Sequence, residues 1–203
     1  MIGDFHFERT LNAALTRFME SDFTDILLID SDEGWRAEDV FRIIMHPHPI
    51  VAGSYRMKNA WDHYVGTLRI DENGTPYGEQ QSDGTYLLEA ERIPGGFTRF
   101  KRHALQMYAD AYPELHYHAN GHEDVAFFTS GIEGGEFYSH DYLLSRRWRE
   151  MNVPLWIDPM IKIDHYGTQK YAGDLDAHLR NQGKTEAAFQ TIADMAALIE
   201  ASR

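Results

Sequence analysis

Two carboxylates one residue apart, Asp30 and Asp32, directly follow the apolar run Ile26–Ile29. In an open α/β sheet, ligands bind at the carboxyl ends of strands. Carboxylates at alternate positions of an extended segment can both reach one oxygen-binding cation that also holds a diphosphate. The pattern therefore predicts a cation and diphosphate site at a strand end. The alternative is a strand that ends in a polar turn with a helix-capping aspartate.

A second group, Gly95-Gly96-Phe97, follows Pro94 and leads into an apolar segment. Paired glycines let a backbone approach a ligand closely because no side chain intervenes. The same residues are typical of a tight turn that enters a strand, so both interpretations stay open.

A third group begins with Asp141, at the start of a helical segment that contains Arg147 and Trp148. Asp141 has the chemistry of a general base for a hydroxyl group. The arginine and the indole ring would then position an anion or a sugar face. An aspartate in the first turn of a helix is also commonly a cap.

A fourth group places His165 after the apolar stretch Ile161–Ile163 and before Gly167. A histidine at a strand end can complete an oxygen-rich metal site, although a lone histidine is more often a surface or core residue. A denser cluster has zinc-binding residue types, but its spacing matches no helical zinc motif; it consists of His116, His118, His122, Glu123 and Asp124.

The hydrophobic pattern predicts the elements that must position these groups. Apolar residues at helical spacing predict a helix over 6–20, and Ala37–Met45 is predicted to be a second helix that ends at the proline-rich segment 46–49. Strands are predicted at Ile26–Ile29 and Ile50–Tyr55. This strand-helix-strand order favours a parallel pair with a right-handed crossover.

Further along the chain, strands and helices alternate less regularly. Helices are predicted at Arg102–Ala111 and Asp141–Met151, and residues 112–140 are predicted to be a long loop. A C-terminal amphipathic helix is predicted within 184–203, and residues 1–203 form one domain. The remaining predicted strands are Val65–Ile70, Tyr86–Glu91, Phe97–Phe100, Leu155–Ile157 and Ile161–Ile163.

Composition limits the classes of protein that this chain can belong to. It has 203 residues and a formal net charge of −13, so non-specific binding to nucleic acid is not expected. It has no cysteines, which excludes disulfides and thiolate sites and is compatible with a cytoplasmic location. No apolar run reaches the roughly 18 residues that a membrane span needs, so no membrane span is expected.

The order of these motifs along about residues 5–173 resembles that of the family 2 type of glycosyltransferases with the GT-A fold, especially the compact bacterial and phage members. The resemblance implies a single-domain, Rossmann-like α/β fold with a mixed sheet flanked by helices. It also implies a nucleoside diphosphate sugar as donor, a hydroxyl acceptor, and Mn²⁺ or Mg²⁺ as cofactor.

The resemblance also implies roles for the motif residues. Asp141 corresponds to the catalytic base. Asp30, Asp32 and His165 correspond to metal-binding positions, with Asp32 as the direct carboxylate ligand. Residues implied in substrate binding are Asp30, Gly95, Gly96, Phe97, Arg147, Trp148 and Lys170, with Tyr171 beside Lys170 in a loop that closes over the diphosphate.

Three departures from the family pattern stand out. His140 replaces the acidic residue that usually precedes the catalytic aspartate, and Leu144 replaces the glutamine of processive members. Only about 25 residues precede the strand that leads to Asp30, so the usual first strand is missing and the fold is N-terminally short. The chain is therefore expected to be a truncated or minimal form, to act with a partner chain or as a homo-oligomer, or to recognise its donor differently.

The predicted activity is inverting transfer of a sugar to an acceptor hydroxyl. Two alternatives stay open. One is a degenerate GT-A domain that binds a nucleotide, a glycan or a protein. The other is a metal-dependent phosphoester hydrolase that uses His118, His122 or Asp124 beside the same carboxylates.

Overall fold

The computed structural model describes residues 6–119 and 121–183. The predicted C-terminal helix within 184–203 lies outside these residues. The described helices are α1 (Phe7–Met19), α2 (Ala37–Met45), α3 (Arg102–Ala111), α4 (His140–Glu150) and α5 (Leu175–Asn181), with a short 3₁₀ helix at Pro113–Leu115. The described strands are β1 (Asp25–Ile29), β2 (Glu33–Gly34), β3 (Ile50–Ala52), β4 (Thr67–Leu68), β5 (Gly78–Gln80), β6 (Tyr86–Arg92), β7 (Phe97–Lys101), β8 (His116–Ala119), β9 (His122–Val125), β10 (Gly131–Glu133), β11 (Glu136–Tyr138), β12 (Leu155–Ile157), β13 (Asp164–Tyr166) and β14 (Lys170–Tyr171).

The main sheet has seven strands in the order β1-β7-β3-β12-β6-β4, with β5 also paired to β6. Only β3 and β12 pair in parallel; the other pairs in this sheet are antiparallel. Apolar side chains on its two faces form two separate core clusters, which the helices cover. The predicted class, an α/β fold with a mixed sheet flanked by helices, is therefore confirmed.

The predicted parallel pairing of β1 with β3 is wrong. Both strands pair antiparallel to β7, which lies between them, so they run in the same direction without touching. The helix between them, α2, was found where the sequence predicts it. The strand that separates β1 from β3 is β7, at residues 97–101. These residues lie outside the local strand-helix-strand pattern from which the pairing was predicted.

Buried arginine explains where α2 ends. Arg99, on β7, is fully buried and its guanidinium donates hydrogen bonds to three carbonyl oxygens around the end of this helix. The acceptors are Ile43 at 3.3 Å, His46 at 2.8 Å and His48 at 2.7 Å. Unpaired carbonyls at a helix C-terminus need such donors. A positive charge there also interacts favourably with the partial negative charge of the helix dipole. Arg99 therefore joins α2 to the centre of the sheet.

The prediction of a long loop over 112–140 is wrong. The segment forms the 3₁₀ helix and two antiparallel hairpins, β8–β9 and β10–β11. Many residues of its four strands are polar, so these strands lack the apolar alternation by which strands are recognised. Backbone pairing holds both hairpins, and β9 also packs against α1.

The predicted strand at Ile161–Ile163 is also wrong, because the strand begins three residues later at Asp164. Ile161 and Ile163 are fully buried in the second core cluster, and Ile163 makes only an isolated parallel bridge with Tyr55. The strand that does form, β13, lies between β14 and β2 in a small three-stranded sheet. This sheet pairs His165 with Glu33 and therefore joins the late histidine to the end of β1.

Candidate functional site

The residues after β1 make a tight turn against Gly96. The Asp30 amide donates a hydrogen bond to the Gly96 carbonyl at 2.8 Å, and the Glu33 amide donates to the Asp30 carbonyl at 3.2 Å. The turn carries three carboxylates, Asp30, Asp32 and Glu33, which we call the acidic tip. The main sheet and the β2–β13 pair hold its two ends.

Gly96 is a point of close approach for oxygen atoms from three elements. A Cβ atom at this position would lie 2.7 Å from Asp30 Oδ2 and 2.8 Å from the Tyr55 hydroxyl, and closer still to Glu33 Oε1. Real Cβ atoms do not approach other atoms so closely, so residue 96 must be glycine for this arrangement. The sequence predicts that the backbone of the glycine pair lies close to a ligand. In the structure, Gly96 lies close to the side chains of the acidic tip.

Burial and mutual repulsion shift the pKa values of the acidic tip. Desolvation, and then the charges of Asp30 and Asp32, raise the pKa of Glu33 to about 8. Desolvation and the charge of Asp32 also raise the pKa of Asp30. Neither Glu33 side-chain oxygen has a well-formed hydrogen bond to a described residue, although the nearby Tyr55 hydroxyl offsets part of its shift. A buried carboxyl group with such a raised pKa is typical of functional sites.

Asp32 faces away from this buried pair toward solvent and two basic groups. The Lys58 ammonium forms an ion pair with Asp32 Oδ2 and, by that hydrogen bond, lowers the pKa of Asp32. His165 Nε2 lies 3.7 Å from the same oxygen. Its other ring nitrogen, Nδ1, lies 2.9 Å from the Arg56 carbonyl oxygen. A carbonyl can only accept, so Nδ1 carries a proton, and Nε2 is the ring nitrogen that faces Asp32.

The spacing of Asp32 Oδ2 and His165 Nε2 allows both atoms to bind one divalent cation. A backbone carbonyl that fixes the histidine tautomer is a common arrangement around metal ligands. Two atoms that bind one cation at about 2.1 Å lie at most about 4.2 Å apart, and the observed 3.7 Å satisfies that limit. Within residues 6–119 and 121–183, no three ligating side chains already surround one point. Mg²⁺ is commonly bound by one or two carboxylates together with substrate phosphates.

A cleft of about 190 Å³ joins the acidic tip to the start of α4. Asp30, Gly95, Gly96 and Asp141 all line it, so four predicted site residues from three separate segments meet. Its remaining lining residues are Phe7, Leu11, Tyr55 and His140. The contribution of α1 means that a helix before the first strand covers one side of this cleft.

Asp141 lies in the first turn of α4 and is held by its own neighbours. Its Oδ1 accepts hydrogen bonds from the Ser139 hydroxyl and, at 3.0 Å, from the Tyr142 amide. No described residue donates a hydrogen bond to Oδ2. Asp141 therefore combines the predicted local turn contacts with one oxygen atom that is available to the cleft.

Three predicted substrate-binding side chains point elsewhere. Phe97 and Trp148 are fully buried in the core, so neither ring can contact a sugar. Arg147 donates to the Tyr108 hydroxyl at 3.2 Å and to Thr129 Oγ1 at 2.9 Å. These roles are corrected: the residues support α4 and the sheet, and do not line the cleft.

Lys170 is also misassigned, because it lies on the wrong face of its hairpin. In the β13–β14 register Lys170 is opposite Tyr166, and its ammonium binds Asp164 at 2.5 Å. Tyr171 is opposite His165 instead, and directly opposed residues of a hairpin share a face. The cation next to the acidic tip is Lys58, which the sequence did not indicate.

The hairpin β8–β9, which we call the histidine hairpin, divides the predicted zinc cluster between two faces. His118 pairs with Glu123, whereas Tyr117 pairs with Asp124 and Ala119 with His122. His116, His118 and Glu123 therefore share one face, and His122 and Asp124 lie on the other. The hairpin therefore does not bring these five zinc-binding residue types together at one site.

Glu33, Tyr55 and Lys58 are the site residues that sequence reasoning missed. Glu33 directly follows Asp32, so its proximity to the acidic pair was a usable signal. Tyr55 was assigned only as the end of a strand, and Lys58 belongs to an irregular segment with no recognisable pattern. Their roles depend on which side chains meet at Gly96 and Asp32.

No described helix is long and apolar enough to cross a membrane. None of the known protein-family models matches the chain, and no curated protein matches it. Among solved structures it is similar to A197 from STIV, with 17% sequence identity and a TM-score of 0.48. The similarity covers 85% of this chain and 74% of that one. A similarity of this size says nothing about what the chain binds.

Proposed function

We propose that this protein is a metal-dependent glycosyltransferase that moves a sugar from a nucleoside diphosphate sugar to an acceptor hydroxyl. The single observation that supports this most is the shared cleft of Asp30, Gly95, Gly96 and Asp141. These residues come from three segments and bring together an acidic strand end, a close backbone approach and a candidate base. The GT-A family assignment and a cytoplasmic location are parts of the same proposal.

Asp32 and His165 would hold the cation on the solvent-facing side of the acidic tip. When bound there, Mn²⁺ or Mg²⁺ supplies positive charge to a leaving diphosphate. The Arg56 carbonyl keeps His165 in the tautomer that a metal ligand needs. Lys58 already lies beside Asp32 and can offer its ammonium to phosphate oxygens.

Asp141 would act as the general base in this proposal. Its Oδ1 is occupied by Ser139 and Tyr142, which fixes the orientation of the carboxylate. The other oxygen can accept the proton of an acceptor hydroxyl that enters the cleft. Attack by that hydroxyl on the sugar carbon, from the side opposite the diphosphate, would invert the configuration at that carbon.

One observation favours a non-catalytic alternative, a domain that binds a nucleotide or glycan. Asp32 is already neutralised by the Lys58 ammonium, so the ion pair needs no metal for charge balance. The phosphoester hydrolase alternative has no such support, since none of His118, His122 and Asp124 lines the cleft that contains Asp30.

Calorimetry with UDP and GDP, with and without Mn²⁺, tests the proposal. The expected result is nucleotide binding that needs Mn²⁺, is lost in Asp32→Ala and is retained in Glu123→Ala, a control on the histidine hairpin. Metal-independent binding would favour the binding-domain alternative. Absence of binding to both nucleotides, together with no sugar transfer or donor hydrolysis from a panel of nucleotide sugars, would contradict both.

A further inference from the structure

Lys58 binds the same carboxylate oxygen that the cation of the proposed function would need. Its ammonium forms an ion pair with Asp32 Oδ2, and His165 Nε2 lies 3.7 Å from that same atom. A divalent cation held between Asp32 and His165 would therefore lie next to the Lys58 ammonium. Two positive charges at such a separation repel each other. Lys58 and the cation therefore compete for Asp32.

The backbone around Lys58 is held close to the acidic tip. Segment 55–65 folds back on itself through backbone hydrogen bonds, two of which measure 2.8 Å and 2.9 Å. The same segment supplies the Arg56 carbonyl oxygen, which lies 2.9 Å from His165 Nδ1. One short segment thus orients His165 and also brings Lys58 to Asp32.

The side chain of Lys58 reaches Asp32 across a glycine. A Cβ atom at Gly167 would lie 3.2 Å from Lys58 Cδ, so the aliphatic part of the lysine lies directly against residue 167. The Lys58 and Asp32 side chains are 33% and 44% exposed, and an ion pair so open to solvent is only weakly stabilising. The lysine side chain is flexible, so its ammonium can leave Asp32 by rotation of its own bonds while the backbone stays in place.

We propose that Lys58 couples the binding of the cation to the binding of the diphosphate. Without a nucleotide, Lys58 stays on Asp32 and repels a divalent cation. A diphosphate offers the ammonium other oxygen atoms, so Lys58 moves to the phosphates and Asp32 Oδ2 becomes available to the cation. The cation then binds tightly together with the nucleotide and weakly on its own. This coupling rests on the proposed function, since it needs the cation and the diphosphate that such a glycosyltransferase binds.

Lys170 provides a matched control for the charge of Lys58. Its ammonium binds Asp164 at 2.5 Å, and in the β13–β14 hairpin it lies on the face opposite to that of His165. Replacement of either lysine by methionine removes one positive charge from the same region of the protein. Only the replacement of Lys58 removes the competitor from Asp32.

Titration with Mn²⁺ alone, followed by electron paramagnetic resonance, tests the competition. Lys58→Met keeps the aliphatic part of the side chain and removes its charge, so it should bind Mn²⁺ up to about tenfold more tightly than the wild type. Lys170→Met should bind Mn²⁺ as the wild type does, and Asp32→Ala should bind it more weakly. An affinity of Lys58→Met no higher than that of Lys170→Met overturns the proposal.

Calorimetry in saturating Mn²⁺, with whichever of UDP and GDP the wild type binds, tests the contact with the phosphates. Lys58→Met should bind this nucleotide about tenfold more weakly, because a charged hydrogen-bond donor to the diphosphate is lost. Damage to the fold would weaken the binding of both metal and nucleotide, so tighter metal binding with weaker nucleotide binding is specific to the coupling. Any other combination in Lys58→Met overturns the proposal.

The behaviour of the wild type separates this coupling from the proposed function. Nucleotide binding that needs Mn²⁺ and is lost in Asp32→Ala, but is unchanged in Lys58→Met, overturns the coupling and leaves the proposed function standing. Absence of Mn²⁺ binding in the wild type and in Lys58→Met, with and without a nucleotide, overturns both.

Discussion

The acidic tip and the histidine hairpin are both rich in metal-binding residue types in the sequence. The fold brings the side chains of the first together and separates those of the second. At the acidic tip, residues from three segments meet at Gly96, and the Glu33 carboxyl group is buried without a well-formed hydrogen bond to a described residue. In the histidine hairpin, the side chains separate onto two faces, and His116 pairs locally with Glu123 at 3.1 Å. The difference teaches that convergence from distant segments, together with desolvation, distinguishes a site from a cluster.

The largest effect is expected from the residue that faces the acidic tip across the cleft. Asp141→Asn keeps the size of the side chain but removes a base, so turnover should fall about 10²–10⁴-fold. Nucleotide binding with Mn²⁺ should be retained, because the groups proposed to hold the cation and the diphosphate are Asp32, His165 and Lys58. Sugar-transfer assays and calorimetry on the same preparations measure both. Turnover close to that of the wild type would exclude Asp141 as the base.

The next effect concerns space around Gly96. Gly96→Ala places a methyl group against Glu33, Asp30 and Tyr55, so the free energy of unfolding should fall by about 1–3 kcal/mol. The matched control is Gly131→Ala in β10, where the nearest neighbour of an added Cβ is Leu143 at an ordinary 3.8 Å. Urea unfolding followed by circular dichroism compares them. Equal stability of the two variants would mean that the acidic tip is not tightly packed.

A separate effect is expected in the pH dependence of stability. The pKa of Glu33 is raised from 4.5 to about 8, so folded protein keeps a proton that unfolded protein releases between these values. Stability should therefore fall as the pH rises through this range, by up to about 1.4 kcal/mol per pH unit from this group. Glu33→Gln cannot release that proton and should have a shallower slope.

Urea unfolding at several values between pH 5 and 8 measures this slope. Glu123→Gln is the control from the histidine hairpin, where the carboxylate side chain is 61% exposed, and it should keep the wild-type slope. A Glu33→Gln slope equal to that of the wild type would show that Glu33 is already ionised in the folded protein at neutral pH.

The smallest effects belong to the histidine hairpin. His118→Ala and His122→Ala should each change the free energy of unfolding by no more than about 0.5 kcal/mol, since both side chains are exposed. Neither should change Mn²⁺ affinity, whereas His165→Ala should weaken it. Titration with Mn²⁺ followed by electron paramagnetic resonance makes the comparison. Loss of Mn²⁺ binding in His122→Ala, with retention in His165→Ala, would reverse the assignment of the two regions.

The sequence by itself determined the elements whose signals are local. Helices α2 and α3 have the bounds that the sequence predicts, because apolar residues at helical spacing mark their length and a proline follows each of them closely. The apolar run that leads into Asp30 is β1, and the alternation at Tyr86–Glu91 is β6. Asp141 was placed correctly in the first turn of a helix, since capping and charge preferences act within one turn.

Only the tertiary structure decided which of these pieces meet. The insertion of β7 between β1 and β3 brings Gly96 to the acidic tip, and the pairing of β13 with β2 brings His165 to Glu33. Trp148 and Phe97 had the residue types of a binding site but were needed to fill the core. Strand pairing and packing act between residues far apart in the chain, so their outcome depends on the whole fold.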